Sequence, residues 1–229
     1  QPFVADLTGD TGLWDIDQIA VYRGPQSTSN GRNSIGGAVY MTTKAPTQDF
    51  EGAVRVGYKN QDNYLDTAAV VSGGLIDDVL AFRLSTQYVN GETFSNPTHY
   101  ETNPTDKNLN ELNTSSTRAK LLYTPTSDLS VQLTYSTYSE EGNTGRKYFE
   151  GDEPTDYIPL FQRDMDTQSD TTQVDISYKI NDNFSFDILL AYMDYEWGYE
   201  AYEALASAES DVSMDEKNIT IDSKLNFGL

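Results

Sequence analysis

The chain has 229 residues, with 15 Lys and Arg against 36 Asp and Glu, one His and no Cys, for a formal charge of −21. Without Cys there is no disulfide, thiolate zinc site, iron–sulfur cluster or Cys nucleophile. The acidic balance argues against nucleic acid, whose phosphates call for clustered Lys and Arg.

An apolar fraction of 37% with this charge could describe a disordered chain, but 12% of the residues are aromatic, including 16 Tyr. Disordered segments are poor in aromatic and β-branched residues, and strands are rich in them. The composition therefore points to a folded β protein. The single imidazole, His99, lies in a polar Pro/Asn/Thr stretch and reads as solvated rather than catalytic. No run of about 18 apolar residues offers a transmembrane helix. Gln1 opens no charged-then-apolar leader pattern, so a targeting peptide is expected to be absent or removed.

Residues 1–46 are Gly-rich, with short apolar pieces at Ile19–Tyr22 and Ala38–Met41. From Glu51 onward, segments of about ten residues alternate apolar and polar side chains, the period of a strand with two different faces. Two weaker segments, Ala53–Lys59 and Tyr64–Ser72, come first. In Val79–Val89, Leu80, Phe82, Leu84 and Tyr88 oppose Arg83, Ser85 and Gln87. In Thr117–Tyr123, Ala119, Leu121 and Tyr123 oppose Arg118 and Lys120. Leu129, Val131, Leu133 and Tyr135 form the next apolar row, followed by Val174, Ile176, Tyr178 and Ile180. Phe184, Phe186, Ile188, Leu190 and Tyr192 make another, and Ile219, Ile221, Leu225 and Phe227 the last. The count is about eight strands.

A half-buried antiparallel sheet explains such alternation, but the distribution of charge and of connection lengths goes further. Charged residues sit mid-strand on the polar faces, while the apolar faces are uniform with Tyr or Phe near their ends. Turns at Gly74–Asp78, Thr124–Asp128 and Asn181–Asn183 read as tight. Connections at Gly91–Thr114, Ser139–Thr167 and Gly198–Ser213 read as long. Only the short Asn60–Asn63 connection breaks that alternation. Short turns on one rim, long loops on the other and an outward apolar band describe a transmembrane β-barrel.

Residues 19–47 hold the sharpest local signal: Ile-Ala-Val-Tyr-Arg-Gly-Pro-Gln, then Gly31-Arg32-Asn33, then Ile35-Gly36-Gly37-Ala38, closing on Thr43-Lys44 and Pro46. Gly24-Pro25 ends a strand, because Pro lacks an N–H and restricts the residue before it. Gly31, Gly36 and Gly37 suit positive φ or close backbone approach. Arg23, at the end of an apolar strand, is expected to be paired and buried; Arg32 is equally well read as solvated.

This stretch resembles the end of the plug domain of TonB-dependent outer-membrane receptors, carried by Arg23, Gly24, Pro25, Gly31, Arg32, Asn33, Gly36 and Gly37. It departs from that pattern at Ser27, commonly Gly, and at Ser29-Asn30, where an apolar–aromatic pair is usual. The resemblance implies an all-β chain with two parts. Residues 1–46 would be the C-terminal part of the plug, and 47–229 the N-terminal part of a β-barrel, about eight antiparallel strands of a barrel of about 22. On this reading the chain is a fragment, lacking the segment that contacts the energy-transducing partner and the terminal aromatic strand.

The resemblance also implies the function: uptake of a ferric siderophore or similar metal chelate across the outer membrane of a Gram-negative bacterium. The implied partners are the TonB energy-transducing complex and outer-membrane lipid, with no cofactor, no resident metal and no catalytic residues. Cobalamin, haem and oligosaccharide are alternative cargoes. A soluble glycan-binding or adhesion module is the rival of another class, and an acidic glycosidase using a pair such as Asp164/Asp166 is weaker still. Ligand contacts are expected from Arg146, Lys147 and Arg163 and from the aromatics Trp197, Tyr199 and Tyr202. An interfacial aromatic belt explains Tyr195 and Trp197 equally well. The acidic run from Glu140 to Asp170 has the oxygen ligands for calcium but no EF-hand spacing, and a solvated loop accounts for it.

Overall fold

The computed structural model describes residues 14–24, 37–60, 63–92, 111–143, 148–149, 157–158, 161–203 and 208–227. Twelve strands are present among them. Strands β1 (Ile16–Arg23) and β2 (Gly37–Thr43) come first, then β3 (Glu51–Lys59), β4 (Tyr64–Ile76), β5 (Leu80–Glu92), β6 (Glu111–Thr126) and β7 (Leu129–Asn143). Two short strands, β8 (Tyr148–Phe149) and β9 (Tyr157–Ile158), precede the long β10 (Phe161–Asn181), β11 (Phe184–Glu203) and β12 (Ala208–Phe227).

Eight of these form one sheet in the order β12-β11-β10-β7-β6-β5-β4-β3, antiparallel throughout, while β1-β2 and β8-β9 are separate two-stranded sheets. Each of the eight segments read from alternation is a strand of the large sheet, and β2 stands apart from that ladder. The meander arises because tight turns join neighbours on one rim: Ile76 pairs with Leu80, Thr126 with Leu129 and Asn181 with Phe184. Asp78 takes φ of 56° in the first of these turns, a conformation that Asp tolerates better than most residues.

The opposite rim corrects the sequence reading. The connections there run over 60–63, 93–110, 144–160 and 204–207. The expected long connection Gly198–Ser213 is largely strand, since Gly198 pairs with Ser213 and the ladder continues to Glu203 and Ala208. Ser139–Thr167 is shorter than expected for the same reason, with Glu140 opposite Thr167 in the ladder. On β11 and β12 the apolar and aromatic positions pass from the outer face to the inner one in these extensions, so the alternation changes phase although the hydrogen bonds continue. The Asn60–Asn63 connection is short, yet it lies on the same rim as the longer ones.

Register assigns every side chain of the large sheet to one of two faces. Arg83 pairs with Ser72 and Lys120, and Lys120 with Thr134. These residues share the inner face with Gln173 and Ala191. The buried hydrophobic side chains Ala68, Ala81, Val89 and Met165 all lie on that face. So do the buried polar ones, among them Ser72, Arg83, Ser85, Gln87, Lys120, Glu140 and Thr167. The outer face is the apolar one, and it is uncovered: Leu84, Leu121, Leu133, Tyr135, Tyr178, Leu190 and Tyr192 are exposed. No second sheet or helix packs on it among the described residues. A soluble sandwich would bury those rows. Here the missing partner is hydrocarbon, and the polar face turns inward.

Strand length fits the same account. On β11 the outward row is apolar from Phe184 to Tyr192 and then becomes Asp194, Glu196, Gly198 and Glu200. About ten tilted residues cross the hydrocarbon layer, whereas β10, β11 and β12 have 21, 20 and 20 residues. Their far halves therefore stand clear of the membrane. We expect Leu190→Arg, at mid-band on the outer face, to lower stability in bilayers by about 2–4 kcal/mol. Gln132→Arg, on the inner face, should change it by within about 0.5 kcal/mol. Urea unfolding of vesicle-embedded protein measures both.

Candidate functional site

Two regions of the inner face hold the side chains of interest. The first is where the chain around β1 and β2 meets the wall made by β3 to β6. Arg83 is 4% exposed and donates to both oxygens of Asp15, from Nε at 2.7 Å and Nη2 at 2.5 Å. Its Nη1 donates to Glu51 at 2.6 Å. Asp15 is itself 3% exposed, so this is a buried, bidentate pair, the geometry in which a guanidinium binds a carboxylate best. Asp15 holds φ of 61°, and its carbonyl accepts a hydrogen bond from the Lys44 amide at 3.2 Å.

Further contacts fasten the same segments. Lys120 Nζ donates to the carbonyls of Thr43 at 3.1 Å and Lys44 at 2.9 Å. The Trp14 indole N–H donates to the Ala69 carbonyl at 3.1 Å, and the Arg55 guanidinium lies over the Trp14 ring at 4.9 Å. Arg55 also pairs with Asp66 at 2.7 Å. Ser72, fully buried, accepts from the Thr47 amide at 2.9 Å and donates to the Phe82 carbonyl at 2.8 Å. The polar mid-strand residues of β4 to β6 thus serve as a docking surface for residues 14–15 and 43–47.

Within the motif, Gly37 has φ of 147°, and a Cβ there would lie 2.4 Å from the Tyr22 carbonyl oxygen. No side chain fits without separating β1 from β2. Gly24 also has positive φ, at 89°. Arg23 pairs with Gly37 in the β1-β2 ladder and is exposed, which corrects the expectation of burial. It lies past the end of the wall contacts, which begin at Trp14 and Asp15. Pro25, Gly31, Arg32, Asn33 and Gly36 lie outside the described residues.

The second region is the inner face of the long strands beyond the apolar band. Register brings Trp197 opposite Thr167 and Met214, and Tyr199 opposite Met165 and Val212. Tyr195 faces Ser169 and Glu216. The Trp197 and Tyr199 rings meet edge to face, with centroids 5.4 Å apart. The Tyr138 hydroxyl donates to the carboxylate of Glu140, which is buried. Burial, and next the negative charges of Glu140 and Glu216, push the Tyr195 phenol up from its ordinary pKa. It therefore stays a hydrogen-bond donor at neutral pH.

Trp197, read from the sequence as either a ligand contact or part of a membrane belt, and Tyr199, read as a ligand contact, point inward, away from lipid. Arg163 and Tyr202 are strand residues, paired with Ala201 and Gln162; their side chains, like Arg146 and Lys147 altogether, lie outside the described residues. No group of three or more His, Asp or Glu among the described residues is placed to hold a metal ion. Sequence reasoning missed Trp14, Asp15, Glu51 and Ser72. Nothing in the local pattern marks Asp15, because its partner lies 68 residues away.

No family model matches the chain. Among curated proteins, it is 37% identical over 82 residues to the ferrioxamine B receptor of Salmonella typhimurium, covering 34% of this chain and 12% of that one. It is 28% identical over 136 residues to the iron-regulated outer membrane virulence protein of Vibrio cholerae, 58% of this chain and 20% of the relative. Among solved structures, the alcaligin outer-membrane receptor FauA of Bordetella pertussis superposes with a TM-score of 0.59 at 14% identity. That match takes in 90% of this chain and 34% of FauA. The chain thus shares the fold of an outer-membrane receptor and local sequence similarity with two outer-membrane iron proteins. It spans about a third or less of the proteins it matches. The inner face of the sheet is the one that carries Arg83 and Lys120, and the outer face carries the apolar rows.

The buried pair yields a direct test. Arg83→Ala should destabilise the protein by about 3–5 kcal/mol, since it leaves the buried Asp15 carboxylate without its partner, and Asp15→Ala by less, since Glu51 still holds Arg83. The double variant should cost clearly less than the two together. Urea denaturation in detergent, read by protease resistance of the β1-β2 region, measures the cycle.

Proposed function

We propose that this chain is part of a TonB-dependent transporter that takes up a ferric siderophore. Residues 1–46 form the end of its plug and 47–229 the first strands of its barrel. The observation that carries this reading is the two-faced sheet: an outer face with nothing but lipid to cover it, and an inner face whose buried charges hold residues 14–15 and 43–47. Names of the relatives supply the cargo class, since one is a ferrioxamine B receptor and another is iron-regulated.

In this reading the wall fixes one side of the plug through Asp15 and the Thr43 and Lys44 carbonyls. Cargo docks from outside among Trp197, Tyr199, Tyr202, Arg146, Lys147 and Arg163, and passage follows rearrangement of the plug driven by the TonB complex. The protein makes and breaks no covalent bond in this scheme and uses no cofactor.

The experiment places the full-length receptor in an iron-starved host that lacks its own siderophore receptors. Uptake of iron-labelled chelate should appear with the receptor and vanish when the energy-transducing partner is deleted. Uptake of cobalamin or an oligosaccharide, with no response to any iron chelate, would overturn the assignment of cargo.

A further inference from the structure

Arg83 reaches Glu51 across an intervening strand. Glu51 on β3 pairs with Ser72 on β4, and Ser72 with Arg83 on β5, so the three stand in one inward row. Neighbouring strands lie about 4.8 Å apart. The guanidinium spans two such steps because the side chain between is the small, fully buried Ser72. The Arg83–Glu51 pair, at 2.6 Å, is therefore made by the wall alone and does not depend on residues 14–15. Asp15 holds the other edge of the same guanidinium, through Nε and Nη2. One cation thus serves two carboxylates, a half-exposed one on the wall and a buried one on the docked segment.

The same double partnering recurs next door. Arg55, which lies over the Trp14 ring, also pairs with Asp66 on β4. When Trp14 and Asp15 leave the wall, Arg55 and Arg83 therefore each keep a carboxylate of the wall. Arg83 is not left as an uncompensated buried charge, which is the main cost of parting a buried ion pair. Lys120 differs, since its hydrogen bonds among the described residues go to the Thr43 and Lys44 carbonyls. The second partners thus belong to the contacts made by the segment before β1.

We propose that Glu51 makes the docking of residues 14–15 reversible, by competing with Asp15 for Arg83 and keeping that guanidinium when Asp15 departs. This rests on the reading of the chain as part of a transporter, in which the plug rearranges for cargo to pass. Two like charges on one cation repel each other, so Glu51 weakens the attachment of Asp15 in the docked arrangement. Replacing Glu51 by a neutral residue leaves the docked pair whole, and it deprives the undocked arrangement of Arg83's remaining partner. Both effects act in one direction, toward tighter docking. A carboxylate that only braced Arg83 for Asp15 would act in the other.

The test uses the full-length receptor in detergent and reads hydrogen exchange of the Lys44 amide, which donates to the Asp15 carbonyl at 3.2 Å when residues 14–15 are docked. Exchange of that amide reports local opening. Glu51→Gln should slow it about fivefold, and Asp15→Asn should speed it. In a receptor that already carries Asp15→Asn, Glu51→Gln should have no further effect, because the competition needs both carboxylates. In the iron-starved host, Glu51→Gln should lower uptake of iron-labelled chelate severalfold while chelate binding to the purified receptor is unchanged. Exchange speeded or unchanged by Glu51→Gln would overturn the competition. Slowed exchange with uptake at the unmutated level would overturn its part in transport. No uptake by the unmutated receptor, with exchange behaving as stated, would overturn the transporter reading and leave the competition standing.

Discussion

A guanidinium placed mid-strand in a membrane-crossing sheet has two options: face lipid at a cost of several kcal/mol, or face inward and find an acid. Arg83 takes the second, and the arrangement of its neighbours follows from that choice. Bidentate pairing with Asp15 fixes the position of the backbone just before β1. Asp15 in turn receives the Lys44 amide through its carbonyl, which sets the chain just after β2 alongside. Lys120, one ladder step from Arg83, then finds the Thr43 and Lys44 carbonyls within reach. The same register that turns Arg83 inward turns Leu80, Phe82 and Leu84 outward, because a strand's side chains alternate strictly. One ion pair therefore ties together which face meets lipid, which face meets the preceding segment and where that segment lies.

A division of labour follows around the wall. Strands β4 to β6 hold residues 14–15 and 43–47 through Arg83, Lys120, Ser72 and the Ala69 carbonyl. Strands β7 and β10 to β12 carry no such contact among the described residues. Strands β10 to β12 are the longest, and with β7 they extend beyond the apolar band with aromatics and carboxylates on the inner side. The contacts with residues 14–15 and 43–47 are thereby confined to one arc of the sheet.

How much of this could be read from the sequence depended on whether neighbouring positions differ. Where one face meets lipid and the other meets polar groups, as from Phe184 to Tyr192, alternation marks the strand and its orientation together. Beyond Tyr192 the alternation changes phase, with Tyr195, Trp197 and Tyr199 inward and Asp194, Glu196 and Glu200 outward, so Gly198–Ser213 looked like a loop although the ladder passes through it. The motif around Gly24 and Gly37 was legible because positive φ leaves glycine nearly alone as an option. Asp15 was not legible, since one acid among 36 acquires its meaning only from a partner far along the chain. Trp197 and Tyr199 stood out as aromatics, but only strand register shows that they point away from lipid.

The most direct test of the account is a spin-label accessibility scan along β11, one label at each position from Phe184 to Tyr199 in the full-length receptor reconstituted in lipid. Oxygen, which concentrates in hydrocarbon, and a water-soluble nickel chelate report the two environments. The account predicts oxygen access at 184, 186, 188, 190 and 192, with low access at the odd positions between them, and loss of that oscillation beyond 193. Oxygen access on both faces, or a maximum at the odd positions, would contradict it.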